Sequence, residues 1–219
     1  MFRLFLFSLF LFFTSHSYSA REFEKIDWKQ IQDKNGVKVY KPIDYKHSTG
    51  LVPIRFVAII NHNISKILTV LDNTADKLSW MPNLKEVFDY KVIDFKEKIV
   101  YYRYNTPWPF QDRDFLISSK GEFKKEKNEV YVVVKSVNFA ELPKVKNVIR
   151  AKAYESFSRI KMISPKETLL EMVFLNDFKG NLPNFIVNYV QAKWPNQFVN
   201  RLKKKLETGK IVINKNFTL

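Results

Sequence analysis

The chain has 219 residues, 46% of them hydrophobic and 16% aromatic, which is enough for one domain with a sizeable core behind a short leader. It has no cysteine, which excludes disulfides, thiolate metal sites, cysteine nucleophiles and a lipoprotein anchor. The net charge of +15 favours anionic partners such as nucleic acid, acidic lipid or polysaccharide.

Arg3 is the only charge in residues 1–20. Residues 4–13 are apolar except for Ser8, and small or polar residues follow as far as Ser17-Tyr18-Ser19-Ala20. About ten apolar residues make a signal-peptide core, whereas a bilayer span needs about 20. Cleavage is expected after Ser19, which puts Ser at both −3 and −1; cleavage after Ala20 would put the bulky Tyr18 at −3. Residues 1–19 therefore read as a signal peptide and 20–219 as the domain, bound for the periplasm or the exterior. The exported domain keeps a net charge of +14. Export makes nucleic acid an unsuitable partner and an anionic membrane a natural one.

No repeat, low-complexity tract or Pro/Gly-rich linker divides the domain. Residues 28–32 read as a short helix closed by Asn35-Gly36, and 37–40 and 50–60 as strands. Asn63 caps a helix on which Ile64, Ile67, Leu68 and Leu71 recur at helical spacing. After Trp80-Met81-Pro82 the period changes to two. Strands are expected at 86–94, 99–105, 115–123, 129–137, 148–163 and 168–175, with turn-forming residues between them. Successive strands with short connections predict an antiparallel sheet. Leu182-Pro183-Asn184 opens a long helix to about residue 207, with Phe185, Tyr189, Ala192, Phe198 and Leu202 as its apolar stripe and Pro195 kinking or dividing it. This order predicts an α+β fold, a curved antiparallel sheet wrapped around a C-terminal helix, with a cavity between them.

Three motifs occur in order: Trp108-Pro109-Phe110-Gln111-Asp112-Arg113-Asp114-Phe115 after Tyr101-Tyr102-Arg103-Tyr104; Val148-Ile149-Arg150-Ala151; and Asn176-Asp177-Phe178-Lys179-Gly180-Asn181-Leu182-Pro183 before Phe185-Ile186-Val187-Asn188. Together they span residues 28–207, and the chain resembles the START (StAR-related lipid-transfer) family. The resemblance implies the helix-grip fold of START and Bet v 1-like proteins. It also implies an internal tunnel for one lipid or sterol-like molecule, no cofactor, and binding, transfer or sensing of that molecule by a monomer. The loop from Trp108 to Asp112 is then a gate beside the last helix. One departure is the single Gly180 where the family often has consecutive glycines. Another is Ser119, six residues after Arg113, where the family often carries a cavity arginine; its loss implies a neutral or weakly polar ligand.

Strand parity proposes the lining. Tyr102 and Tyr104 share one face, with Arg103 opposite. Phe115, Ile117 and Ser119 share another. Met172 and Phe174 lie with Leu170, opposite Glu171, and Tyr154, Ser156, Ser158 and Ile160 share a face. Trp80, Trp108, Phe110, Phe185, Asn188 and Tyr189 complete the candidate ligand-binding set. Arg113, Arg150 and Asp177 read as structural ion-pair or carbonyl-binding residues. Trp108 and Phe110, on a Pro-stiffened loop beside the helix with Lys193, Arg201, Lys203, Lys204 and Lys205, read as a membrane-docking tip. His47 and His62 read as surface-loop residues. No metal-spaced cluster, nucleophile elbow, P-loop or dinucleotide fingerprint is present. A helix-grip enzyme, cyclase- or hydrolase-like, is the alternative reading, and a basic adhesion module with a filled core is the third.

Overall fold

Asn35 and Gly36 both hold positive φ, 54° and 73°, and turn the chain sharply back on itself. An Asn-Gly pair in this conformation is a two-residue hairpin loop whose twist matches the strands it joins. The residues on either side are accordingly strands β1 (Trp28–Lys34) and β2 (Val37–Pro42), paired antiparallel. The helix expected at 28–32 is therefore a strand: the Asn-Gly pair turns a hairpin instead of stopping a helix. Among the described residues, the helical structure before it is a 3₁₀ segment at Ala20–Lys25, which buries Phe23. In the computed structural model the described residues are 20–138, 142 and 145–218, and the side chains of 20, 21, 184, 185 and 188–192 lie outside the description. The expected signal peptide, residues 1–19, also lies outside it.

Pro53 trims the next strand to β3 (Ile54–Ile60). Helix α1 (Ile64–Asp72) starts where Asn63 Oδ1 accepts the Ser65 N–H at 2.7 Å, and it buries Ile64, Ile67, Leu68 and Val70. A single turn, α2 (Lys77–Trp80), follows. The period-two stretch forms β4 (Leu84–Val92), β5 (Glu97–Tyr104), β6 (Asp112–Lys124) and β7 (Glu129–Ser136).

The strand expected over 148–163 is broken into three: β8 (Val148–Arg150), β9 (Lys152–Ala153) and β10 (Ser156–Ser164). The first leaves to pair in parallel with β6, through Asp112 to Asp114. The second pairs with β12 (Asn176–Asp177) in a separate ribbon. Only β10 continues the main sheet, beside β11 (Glu167–Phe174).

The main sheet runs β1-β2-β3-β11-β10-β7-β6-β5-β4, all antiparallel, with β8 attached to β6. Both of its edge pairs are irregular: register shifts interrupt β1 at Gln30/Gln32, and β4 at Leu84/Glu86 and Asp89/Lys91.

Helix α3 (Asn184–Thr208) lies across the sheet. Pro195 sits inside it, buried, without dividing it. The second half of the helix is the anchored half. Phe198, Val199, Leu202 and Leu206 pack with Val37, Val39, Phe56, Leu170 and the apolar face of α1 in the largest core cluster. Lys66 of α1 donates to the Leu206 carbonyl at 2.6 Å, satisfying one of the free carbonyls of the last helical turn. The sheet gripping a terminal helix is the α+β architecture the element order predicts.

Candidate ligand cavity

Every second residue of five neighbouring strands faces a space between the sheet and α3. These are Val100, Tyr102 and Tyr104; Phe115, Ile117 and Ser119; Val130, Val132 and Val134; Ser156, Ser158 and Ile160; and Met172 with Phe174. The space consists of two abutting chambers of about 280 and 470 Å³. Six residues border both and form a waist: Met81, Tyr102, Val134, Ser158, Met172 and Trp194.

The first chamber reaches the loop before β6 through Asn105, Thr106 and Pro107, and the start of α3 through Leu182 and Ile186. Arg113 holds this end together. Its guanidinium donates to the carbonyls of Gln111 at 2.6 Å, Lys179 at 3.2 Å and Phe178 at 3.3 Å, the carbonyl-binding role expected of it. Lys179 and Gly180 both have positive φ, 54° and 64°. At Gly180 the positive φ favours glycine, and a Cβ there would also press on the end of the Ile149 side chain, 2.9 Å from its Cδ1.

The second chamber lies at the other end, bordered by the β4–β5 turn (Phe95, Lys96), the end of β6 (Gly121, Glu122, Phe123) and the C-terminal Asn216 and Phe217. Its walls carry a charged side chain that sequence patterning misses. Lys77 of α2 is 4% exposed and lines this chamber, and its ammonium makes no hydrogen bond or ion pair among the described residues. Burial pushes its ammonium down to about 7; the neighbouring Lys98 charge pushes the same way, and Asp72 and Asp89 oppose. Lys98 itself is matched, bonding Asp72 at 2.7 Å. A lysine on a four-residue helix carries no periodic signal, so sequence offers no means of singling it out. The chamber that Ser119 lines thus also holds a buried amine, which gains its charge as the pH falls through about 7.

Polar groups are otherwise few. Burial pushes the phenols of Tyr102 and Tyr104 above their ordinary range, so both remain protonated donors. Tyr104 donates weakly to Met81 Sδ at 3.5 Å, while the hydroxyls of Tyr102, Ser119 and Ser158 have no partner among the described residues. Ser156 lines the first chamber, but its hydroxyl is committed: it donates to the Tyr154 carbonyl at 2.8 Å and accepts from Leu175 N–H at 3.2 Å.

Of the expected lining, Tyr102, Tyr104, Ile117, Ser119, Ser156, Met172 and Phe174 border the cavity. Four others do not. Tyr154 falls in the break between β9 and β10, which flips its face; its ring packs on His47, centroids 4.7 Å apart, and under Lys152 Nζ at 4.4 Å. Trp80 is core, packed on Phe198 at 5.5 Å behind the cavity wall. Trp108 points to solvent, 92% exposed, and Phe110 is half-buried in the same loop, so the lining there comes from Asn105, Thr106 and Pro107. The side chains of Phe185, Asn188 and Tyr189 lie outside the described residues. His47, expected on the surface, is buried against Tyr154. Trp194, Val134, Phe178 and Phe217 join the walls without having been expected there.

The fold has known counterparts. The family model for the START domain matches residues 14–209. Rat phosphatidylcholine transfer protein is 22% identical over 181 residues, covering 81% of this chain and 83% of that protein. Human mitochondrial steroidogenic acute regulatory protein is 26% identical over 191 residues, covering 82% and 63%. Among solved structures, human STARD10 superposes with a TM-score of 0.75 at 20% identity, covering 86% of this chain and 78% of that one. A STAR-related lipid transfer protein from Xanthomonas axonopodis gives 0.72 at 20% identity, covering 82% and 98%. With a family model matching nearly its whole length, the chain belongs to the START domain family.

Proposed function

We propose that the protein binds one lipid-like molecule in the double chamber and carries it between membranes. The observation that supports this most directly is the cavity itself: two largely apolar compartments joined at a waist, with the hydroxyls of Tyr102, Ser119 and Ser158 and the buried Lys77 amine among their polar groups. Ligand sites are mostly apolar with a few placed polar groups. A buried ammonium facing an apolar space is costly without a counter-charge. The polar end of the ligand is therefore an anionic group, phosphate or carboxylate, seated beside Lys77, with Ser119 and Tyr102 as donors and the acyl portion extending through the waist. The relatives named for phosphatidylcholine transfer are consistent with such a passenger.

Catalysis is the weaker reading. Among the described residues no His, Asp and Glu cluster is arranged to hold a metal, and the histidines lie outside both chambers. We further propose export, with residues 1–19 removed, and monomeric action.

Native mass spectrometry of protein purified from its own host, followed by lipid extraction, tests the carrier reading. The expected result is one acidic or phosphate-bearing lipid per chain, reduced in Lys77→Met. A chain that is empty from every source, and that takes up no lipid from vesicles, overturns it. N-terminal sequencing of the same material tests export: Ala20 as the first residue is expected, and intact Met1 in soluble cytoplasm overturns it.

A further inference from the structure

The mouth of the second chamber is unusually apolar on its outside. At the β4–β5 turn, Val92, Ile93 and Phe95 are 61%, 50% and 55% exposed, and Phe95 also borders the chamber. Opposite this turn, the segment after α3 doubles back over α1. Asn214 N–H bonds Thr69 Oγ1 at 3.1 Å, Ile211 and Phe217 pack against the core, and Phe217 reaches the chamber wall. The same segment turns Val212 and Ile213 outward, 89% and 47% exposed. The family match ends at residue 209, so this strap lies beyond the matched region.

The charges around the mouth are mostly positive. Lys91, Lys96, Lys210 and Lys215 are exposed. The two acids of the turn are engaged: Asp94 accepts the backbone N–H groups of Lys96 and Glu97, and Glu97 pairs with Lys120 at 2.9 Å. Exposed Arg201 and Lys204 lie in the last part of α3, which leads directly into the strap. The other mouth differs. Ile186 borders the first chamber, and Lys204 is 18 residues further along the helix, about 27 Å at 1.5 Å per residue. The basic run expected to dock together with Trp108 therefore belongs to the opposite end of the cavity.

We propose that the β4–β5 turn and the C-terminal strap form a membrane-docking portal. Val92, Ile93, Phe95 and Val212 enter an anionic bilayer, the lysines hold its headgroups, and the ligand passes where Phe217 closes the second chamber. Exposed apolar tips ringed by lysines match a surface that is apolar inside and negative at its boundary. The portal rests on the reading of the cavity as a lipid site, and the experiment separates the two.

A reporter indole is introduced by Phe95→Trp in a Trp108→Phe background of the full chain. Its emission, taken over that of the Trp108→Phe parent, is followed with phosphatidylcholine vesicles carrying brominated acyl chains, with and without phosphatidylserine. The expected result is strong quenching of the reporter on vesicles containing phosphatidylserine at low salt, lost at high salt. In parallel, Val92→Ser/Ile93→Ser, at two exposed residues that line neither chamber, slows transfer of a fluorescent phospholipid between such vesicles several-fold, with circular dichroism and uptake of dispersed short-chain lipid unchanged. Phe217→Ala speeds release of bound lipid several-fold. An unquenched reporter, or wild-type transfer by the Val92→Ser/Ile93→Ser variant, overturns the portal. Quenching of the reporter with no lipid uptake by any form keeps the docking surface and removes the carrier reading instead.

Discussion

Arg150 grips Asp114 through two bonds, Nε to Oδ1 at 2.7 Å and Nη2 to Oδ2 at 3.0 Å, and Tyr101 OH adds a third at 3.2 Å. The Asp114 side chain is 1% exposed, and its partner stands on β8, the only strand attached in parallel among the described residues. This pair thus fastens the β8 segment to β6. Asp114→Ala leaves Arg150 without its counter-charge in a partly buried place, and such losses cost about 3–5 kcal/mol. Urea unfolding is expected to show a cost near the lower bound, because Arg150 is 22% exposed and water reaches it.

Ligand affinity should depend on pH through Lys77. Free Lys77 titrates near 7, and a bound anion favours its charged form. Above pH 7 binding must therefore take up a proton, and affinity for an acidic lipid falls by up to about tenfold per pH unit until the pKa of the complex is reached. Titration calorimetry from pH 6 to 9 checks this, with Lys77→Met giving a flat profile.

Stability without ligand should move the other way. An ordinary lysine titrates near 10.5, so between about 7 and 10.5 the unfolded chain holds a proton on residue 77 that the folded chain lacks. Stability rises with pH across that window. The wild-type minus Lys77→Met difference in unfolding free energy is expected to shift in favour of wild type from pH 7 to 9.

The waist should be a point of obstruction. Ser158 borders both chambers, so Ser158→Trp puts an indole across the connection. Overpacking of this kind costs about 1–3 kcal/mol, which leaves the fold intact. Uptake of long-chain phospholipid is expected to be lost while a short-chain analogue still binds, as read by gel filtration with radiolabelled lipid.

Trp108 makes the opposite prediction. Its ring is 92% exposed and lines neither chamber. Trp108→Ala should leave stability within about 0.5 kcal/mol of wild type. Docking through the other portal further predicts an unchanged transfer rate between anionic vesicles.

The regular part of the site was readable in the sequence because a period of two survives wherever a strand is continuous. Tyr102, Tyr104, Ile117, Ser119, Met172 and Phe174 all follow that rule. Tyr154 fails it because Asn176 and Asp177 draw Lys152 and Ala153 into a ribbon of their own, and parity cannot be carried across such a break. Residues 28–32 fail for a different reason: Asn35-Gly36 ends helices and turns hairpins alike, and only the partner strand decides between them. Lys77 and Phe217 stand on a single helical turn and a C-terminal strap, where a side chain's direction is set by distant packing. The long helix and its Asn-capped predecessor were legible because capping and amphipathic spacing are local.

The shifted registers at the two borders of the sheet bear on a hazard that any open sheet faces. A free edge offers unpaired N–H and C=O groups to a passing chain, and aggregation begins there. Here β1 and β4 each carry an interruption partway along, and β4 adds Lys85 and Lys91 at its exposed flank. A bulge twists the edge and breaks the even ladder that an incoming strand must match. A sheet this broad thereby has edges that resist templating.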